Sequence, residues 1–172
     1  INACFCFDLI YDYQKLMGII IDEIKAKTGI DTYETNSMGP EHQRPFYTFD
    51  IVDPHVELPF TDNVNNEEFE IQLELMAHSD SHYEALNLAS QLHKLFKAYD
   101  MDALGENNGF YVVEADDIAT ADNMISIQVE RRASFELVLR VLDSFHDDIP
   151  TIDDAEVNGA DLSDKNNYGK QD

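Results

Sequence analysis

Positively charged residues are scarce in this chain. Its 172 residues include 11 lysines and arginines against 35 aspartates and glutamates, which gives a formal net charge of −24. Such an average field repels the phosphate backbone, so a protein that reads a DNA or RNA sequence is disfavoured. An acidic surface past which DNA slides without sticking is compatible with this charge, and so is an ordinary soluble acidic protein.

Cysteine and long apolar segments are also scarce. Cys4 and Cys6 are the only cysteines. They are too close in sequence for an easy disulfide, and no second pair completes a zinc site. No window reaches membrane-spanning length, and the N-terminal apolar stretch lacks a basic segment and is interrupted by Asp8 and Asp12. The sequence therefore predicts reduced cysteines and an intracellular protein that does not contact a membrane.

Catalytic and cofactor-binding motifs are absent as well. There is no Ser nucleophile elbow, P-loop or GxGxxG sequence. His78 and His82 have a spacing that could hold a metal, but no HExxH-type partner set accompanies them. The adjacent acids at 116–117, 147–148 and 153–154 are of the kind that usually stays solvated. We therefore expect no enzyme, no cofactor and no catalytic, cofactor-binding or metal-binding residue; a metal-assisted hydrolase using Asp116 or Asp117 is the enzymatic alternative.

Alternating apolar and polar residues predict the strands. The clearest case is 125–142, whose odd positions are apolar except Arg131. This period of two indicates a long strand with one buried face. The four predicted strands are 45–52, 67–77, 110–114 and 125–142. The first two form a long hairpin arm around 53–66, a segment that Pro54 and Pro59 keep irregular.

Apolar residues at helical spacing predict two helices, 8–27 and 82–99. Gly29 is placed to end the first helix, and Ser81 with Glu84 matches a capping box for the second. Asp80 and Ser81 are both interpreted as caps. Loops, turns or acidic connections are predicted for 32–44, 105–109 and 115–123.

These elements indicate one α+β domain over residues 1–150. Its sheet is predicted to be mixed but rich in antiparallel pairs, with about four strands and two main helices packed on one face. Residues 151–172 are acidic and polar with little to bury. We predict that they form a tail that is mobile or ordered by a partner.

Arginine is concentrated in the last predicted strand. Arg132 and Arg140 could pair with cross-strand glutamates such as Glu70 or Glu74, worth about 0.2–1 kcal/mol each. Arg131 interrupts the apolar face, so the strand either leaves the core there or carries a bulge. Its guanidinium is suited to a carboxylate on a neighbouring subunit. The candidate subunit-interface residues are Arg44, Arg131, Arg132 and Arg140.

Four stretches between residues 29 and 152 resemble, in their order and spacing, the neck or tail terminator family of tailed bacteriophages. They are RPFYTF at 44–49, IQLELMAHSD with YEALNLA within 71–89, NGFYVV at 108–113, and ERRASFELVLRV at 130–141. The resemblance implies α+β subunits that assemble into a ring, usually a hexamer. Such a ring stops tail-tube polymerisation, joins the tail to the head connector and surrounds a channel for the genome.

The implied partners are other copies of the chain, the tail-tube protein and the head connector or completion protein. The genome would pass without sequence-specific binding, in a virion neck assembled in the host cytoplasm. The implied role is structural and carries over no catalytic residue. The acidic end after Asp143 and the cysteine-bearing start depart from the family pattern. The alternative from a different class is an acidic binding module, such as a DNA mimic that occupies a basic groove of a host protein.

Overall fold

A computed structural model describes residues 11–35, 42–59, 65–125 and 128–146, together with 156–157 and 160–161; for 121–125, 128–129 and the last two pairs it describes the backbone alone. The elements in chain order are α1 (Tyr13–Thr28), β1 (Thr32–Glu34), β2 (Phe46–Glu57), β3 (Glu68–Ser79), α2 (His82–Phe96), α3 (Tyr99–Asn108), β4 (Phe110–Ala115), β5 (Ala119–Ile125), β6 (Gln128–Leu142), β7 (Glu156–Val157) and β8 (Ala160–Asp161).

Six strands form one mixed sheet. The order is β1-β2-β3-β6-β4, and β5 pairs with the N-terminal half of β6 while β4 pairs with its C-terminal half. The pair β1–β2 is parallel and the other pairs are antiparallel. The predicted α+β class is therefore confirmed, whereas the predicted count of about four strands is too low.

The core lies on one face of this sheet. Along β3, buried residues alternate with partly exposed ones, and the same alternation continues along β6 from Ala133 to Val141. Helices α1 and α2 supply the opposing apolar side chains, among them Ile20, Ile24 and Leu92. Each fully buried side chain of this size contributes about 1.5–3 kcal/mol. Since the other face keeps its alternate positions partly exposed, the helices cover one side of the sheet, as predicted.

The ends of α1 follow from local chemistry. The Asp12 side chain accepts a hydrogen bond from the backbone N–H of Lys15 at 2.9 Å and caps the helix. Gly29 ends it in the left-handed conformation at φ 75°, which glycine adopts without steric cost. The predicted end is thus confirmed, but Tyr13 begins the helix; residues 8–10 of the prediction lie outside the described part of the chain.

Two strands were not predicted because their own residues show no pattern typical of a strand. The predicted loop 32–44 contains β1, which pairs in parallel with β2. This strand has only three residues, so it is too short to show an alternating pattern. The predicted acidic connection 115–123 contains β5, whose strand character comes from its pairing with β6. Edge strands of this kind are set by the partner strand more than by their own propensity.

Strand β2 also runs further than predicted. It continues to Glu57 and passes Pro54, which was expected to break it. The register with β3 shifts between Ile51 and Asp53 and again between Asp53 and Val56. Bulges of this kind leave residues out of the ladder, and Pro54 occupies such a position because it has no N–H to donate.

The second predicted helix, 82–99, corresponds to α2, and a further helix that the sequence did not predict follows it. Helix α2 ends at Phe96, and α3 follows from Tyr99 to Asn108, so the predicted turn at 105–109 is wrong. The predicted turn includes Gly105, but this residue lies inside α3 and is buried. It allows α3 to approach the backbone of Phe110 at the start of β4.

Gly105→Ala is therefore expected to lower the free energy of unfolding by about 1–3 kcal/mol, because the added Cβ would overlap the carbonyl oxygen of Phe110. Gly18→Ala in α1 is the matched control, since a Cβ there meets nothing within 4 Å. It should raise stability by about 0.5–1 kcal/mol. Urea unfolding of both variants measures the contrast; equal effects would show that helix propensity, and not the close approach, decides at Gly105.

The predicted capping box is also wrong in its bonding. Ser81 occupies the N-cap position of α2 but makes no side-chain capping bond. The Ser79 hydroxyl instead donates to Glu84 and accepts from the backbone N–H of Ser81. The predicted tail 151–172 lies outside the described residues except for the short antiparallel pair β7–β8, so its mobility stays a prediction.

Candidate assembly interface

Three of the four candidate arginines come together at one end of the sheet. The register pairs Phe46 with His78 and His78 with Arg132, across β2, β3 and β6. Arg44 lies just before β2, beside this row, and Arg131 is adjacent in sequence. Arg140 lies eight residues further along β6, about 26 Å away at 3.3 Å per residue. The structure therefore separates Arg140 from the other candidates.

Glu130 is the centre of this arginine cluster. The residue is 4% exposed, and its carboxylate accepts a hydrogen bond from Arg132 Nε at 2.7 Å. Arg44 Nε lies 3.6 Å from Glu130 Oε1, and Arg44 Nη1 donates to Asp80 Oδ1 at 2.8 Å. The spacing of two residues places Glu130 and Arg132 on the same side of β6. Asp80, predicted to be a helix cap, is thus an ion-pair partner of Arg44.

His78 links the cluster to β2. Its Nδ1 lies 3.0 Å from Glu130 Oε1, and its Nε2 lies 2.8 Å from the Thr48 hydroxyl. The ring also stacks on Phe46 with centroids 4.6 Å apart. Because an ionised carboxylate only accepts, the consistent assignment is a neutral ring that donates through Nδ1 and accepts the Thr48 proton at Nε2.

The pKa shifts agree with that assignment. Burial lowers the pKa of His78 and outweighs the opposing effect of Glu130. Burial alone would raise the pKa of Glu130, but hydrogen bonds from Arg132 and His78 outweigh it and hold the pKa below its usual value. At neutral pH the cluster therefore contains an anionic Glu130, a neutral His78 and cationic arginines.

The lowered pKa of His78 gives an expected pH dependence. Below the unfolded-state pKa of about 6.5, His78 is protonated in the unfolded chain but stays neutral in the folded chain until a lower pH is reached. The free energy of unfolding therefore falls as pH falls. Over the window from pH 6.5 to pH 5 this loss cannot exceed about 2 kcal/mol. Urea unfolding at pH 7.5 and pH 5 should show a smaller loss in His78→Gln than in the original chain. Equal losses would show that other groups carry the pH dependence.

Arg140 forms the predicted cross-strand pair. Its Nη2 donates to Glu70 Oε1 at 2.7 Å, and the two residues stand directly opposite in the β3–β6 register. Both side chains are partly exposed, so the contribution is at the modest level expected for such pairs. Arg132 pairs with Glu130 and not with Glu70 or Glu74. Arg131 is partly exposed on the side of β6 shared with Ala133.

An acidic row crosses the uncovered face of the sheet. Asp50 stands opposite Glu74, and Glu74 stands opposite Glu136. Like charges directly opposite one another destabilise a sheet, so this row is not explained by the stability of the isolated subunit. It was missed because the register across three strands cannot be read from one sequence.

The other candidates do not assemble into a site within the described residues. Both ring nitrogens of His78 are engaged by Glu130 and Thr48, and no metal-ligand group in this part includes His82. Asp116 and Asp117 are exposed. The acids at 147–148 and 153–154 lie outside the described residues. Sequence reasoning missed Glu130, Thr48 and the bonding of His78; the Glu130-x-Arg132 spacing on a predicted strand was the available signal.

No helix of the described part is long and apolar enough to cross a membrane. Comparison with models of protein families matches residues 8–164 to a family described as phage neck terminator protein. A search of curated proteins finds no match.

Proposed function

Because this chain belongs to the phage neck terminator protein family, we propose that its copies form a ring, a hexamer, at the head–tail junction of the virion. The ring ends tail-tube polymerisation and joins the tail to the head connector. The observation that carries this proposal is the family match over residues 8–164. The proposed role is structural, as the family description indicates, and we propose no catalytic residue.

A closed ring needs a heterologous interface, in which two different patches of each subunit meet. Copies with a net charge of −24 repel one another, so their contact surfaces need cations. The cluster around Glu130 contains Arg44 and Arg132 at one end of the sheet, and Arg131 lies at the same end on the opposite side of β6. We assign the interface to this end, with carboxylates of the next subunit as partners. Arg140 is the weakest candidate because it lies about 26 Å further along β6, away from this end of the sheet.

The free edge of β4 supports association as well. This strand pairs with β6 on one side, and no strand in the described ranges pairs with its other side. Tyr111 and Val113 on it are 59% and 46% exposed. An unprotected apolar edge is a template for pairing with another chain, which suits a subunit that functions in an assembly.

The charge of the chain suits a channel for DNA. Contacts between cationic side chains and phosphates release counterions and so strengthen DNA binding. An acidic lumen makes no such contacts, and DNA is therefore free to slide through it. We propose that the genome passes without sequence-specific binding. The tail-tube protein below, the head connector above and neighbouring copies are the proposed partners, with assembly in the host cytoplasm.

A tube-capping assay tests the proposed termination. Purified tail-tube protein is polymerised with and without the chain, and tube lengths are measured in negative-stain images. Shorter tubes that carry a ring at one end are expected as the chain is increased. Unchanged lengths and uncapped ends at a molar excess of the chain would overturn the termination role.

A further inference from the structure

Three potential metal ligands lie at the end of the β2–β3 hairpin, away from the Glu130 cluster. His55 and Glu57 belong to the last part of β2, and Glu67 immediately precedes β3. One donor atom from each residue lies within 4.8 Å of the donors of the other two. The group therefore joins the two ends of the segment that connects the strands.

Local packing and hydrogen bonds position this group. The His55 ring stacks on Phe69, with centroids 4.2 Å apart and planes at 22°, and Phe69 is fully buried. The register shift between Asp53 and Val56 re-aims the intervening side chains. The backbone of Glu67 is held by Asp143, which accepts from its N–H at 2.8 Å and donates to its carbonyl at 3.0 Å.

The separation of the donor atoms fits coordination better than a direct hydrogen bond. His55 Nε2 lies 3.5 Å from Glu67 Oε1, beyond the 2.7–3.2 Å typical of N–H···O hydrogen bonds. Two ligands of a tetrahedral zinc ion, with bonds of about 2.1 Å, stand about 3.4 Å apart. Glu57 adds a second carboxylate beside the first in a chain of strong negative charge, and a cation would relieve their repulsion.

We propose that His55, Glu57 and Glu67 bind a divalent transition metal, with Zn²⁺ as the best fit. One imidazole and two carboxylates match the donor set of three-ligand zinc sites, in which water completes the tetrahedron. Magnesium and calcium prefer oxygen ligands alone, so the imidazole selects against them. The ion fastens the end of β2 to the start of β3. The site does not depend on the ring or on the family assignment.

Calorimetric titration tests the site in the full-length chain. The protein is stripped with EDTA, exchanged into buffer with a reductant and excess Mg²⁺, and titrated with ZnCl₂. One zinc ion per chain is expected at this site, and His55→Ala should weaken that binding at least tenfold. His82→Ala is the matched control and should leave it unchanged. Circular dichroism of each variant confirms that the fold is intact.

A second variant and a second metal keep the test decisive. Glu57→Gln changes an exposed side chain and should also weaken zinc binding at least tenfold. Co²⁺ in place of zinc should give the visible absorption of a tetrahedral site, and His55→Ala should lose it. Zinc binding that both variants leave unchanged, or the absence of zinc binding in the presence of excess Mg²⁺, would overturn the proposal.

Discussion

Glu130→Ala is expected to lower the free energy of unfolding by about 3 kcal/mol, the largest effect of any single substitution in the cluster. The substitution leaves Arg44, Arg132 and His78 without the carboxylate that they share. Their side chains are only 17%, 27% and 7% exposed, so water replaces the lost contacts incompletely. The two arginines retain some access to solvent, which keeps the expected loss at the lower end for a broken buried ion pair.

Denaturant unfolding measures this loss, and two variants control it. Glu130→Gln keeps the shape and removes the charge, so an intermediate loss is expected. Glu136→Ala removes an exposed carboxylate from the same strand and the same face, where it stands opposite Glu74. It should change stability by less than about 0.5 kcal/mol or raise it. If Glu130→Ala and Glu136→Ala have the same effect, the cluster does not hold this end of the sheet.

Arg131→Glu is expected to disrupt the ring while the subunit stays folded. Reversing a charge at a subunit contact costs about 2 kcal/mol or more, which is about 30-fold in affinity per contact, and the contact recurs around the ring. The side chain is partly exposed, so the free energy of unfolding of the separated subunit should change by less than about 1 kcal/mol. Sedimentation velocity and urea unfolding measure the two quantities on the same sample.

Lys94→Glu provides the matched control for Arg131→Glu. It makes the same change in net charge at an exposed position in the last turn of α2, away from the arginine cluster. Rings should therefore form as they do for the original chain. Normal rings from Arg131→Glu would remove Arg131 from the interface, and loss of rings in both variants would point to the total charge instead.

Helices and strands whose apolar residues recur at a regular spacing could be predicted from the sequence. Strand β3 and the core of β6 show alternation over ten or more residues, and α1 ends at Gly29 as its sequence indicates. Strands β1 and β5 could not be predicted because their structure depends on pairing with β2 and β6. Helix α3 was missed because Gly105 and Gly109 suggest a turn, whereas only Gly109 ends the helix.

The sequence predicted one of the ion pairs of the candidate arginines but not the others. The Arg140–Glu70 pair was anticipated, since both residues were placed on partly exposed faces of long strands. The bonds of Glu130 to His78 and Arg44 depend on the register of β3 with β6 and on the path before β2. Neither this register nor this path can be derived from the alternation of apolar and polar residues along a single strand. Charge and spacing predicted an assembly role for these arginines, whereas their partners within the subunit depend on the packing of β2, β3 and β6.

Native mass spectrometry of the purified chain at micromolar concentration measures whether its copies form a ring. A closed oligomer of six copies of 19.6 kDa, about 118 kDa in total, is expected either alone or once tail-tube protein is added. Strictly monomeric particles under both conditions would contradict the ring and with it the proposed function.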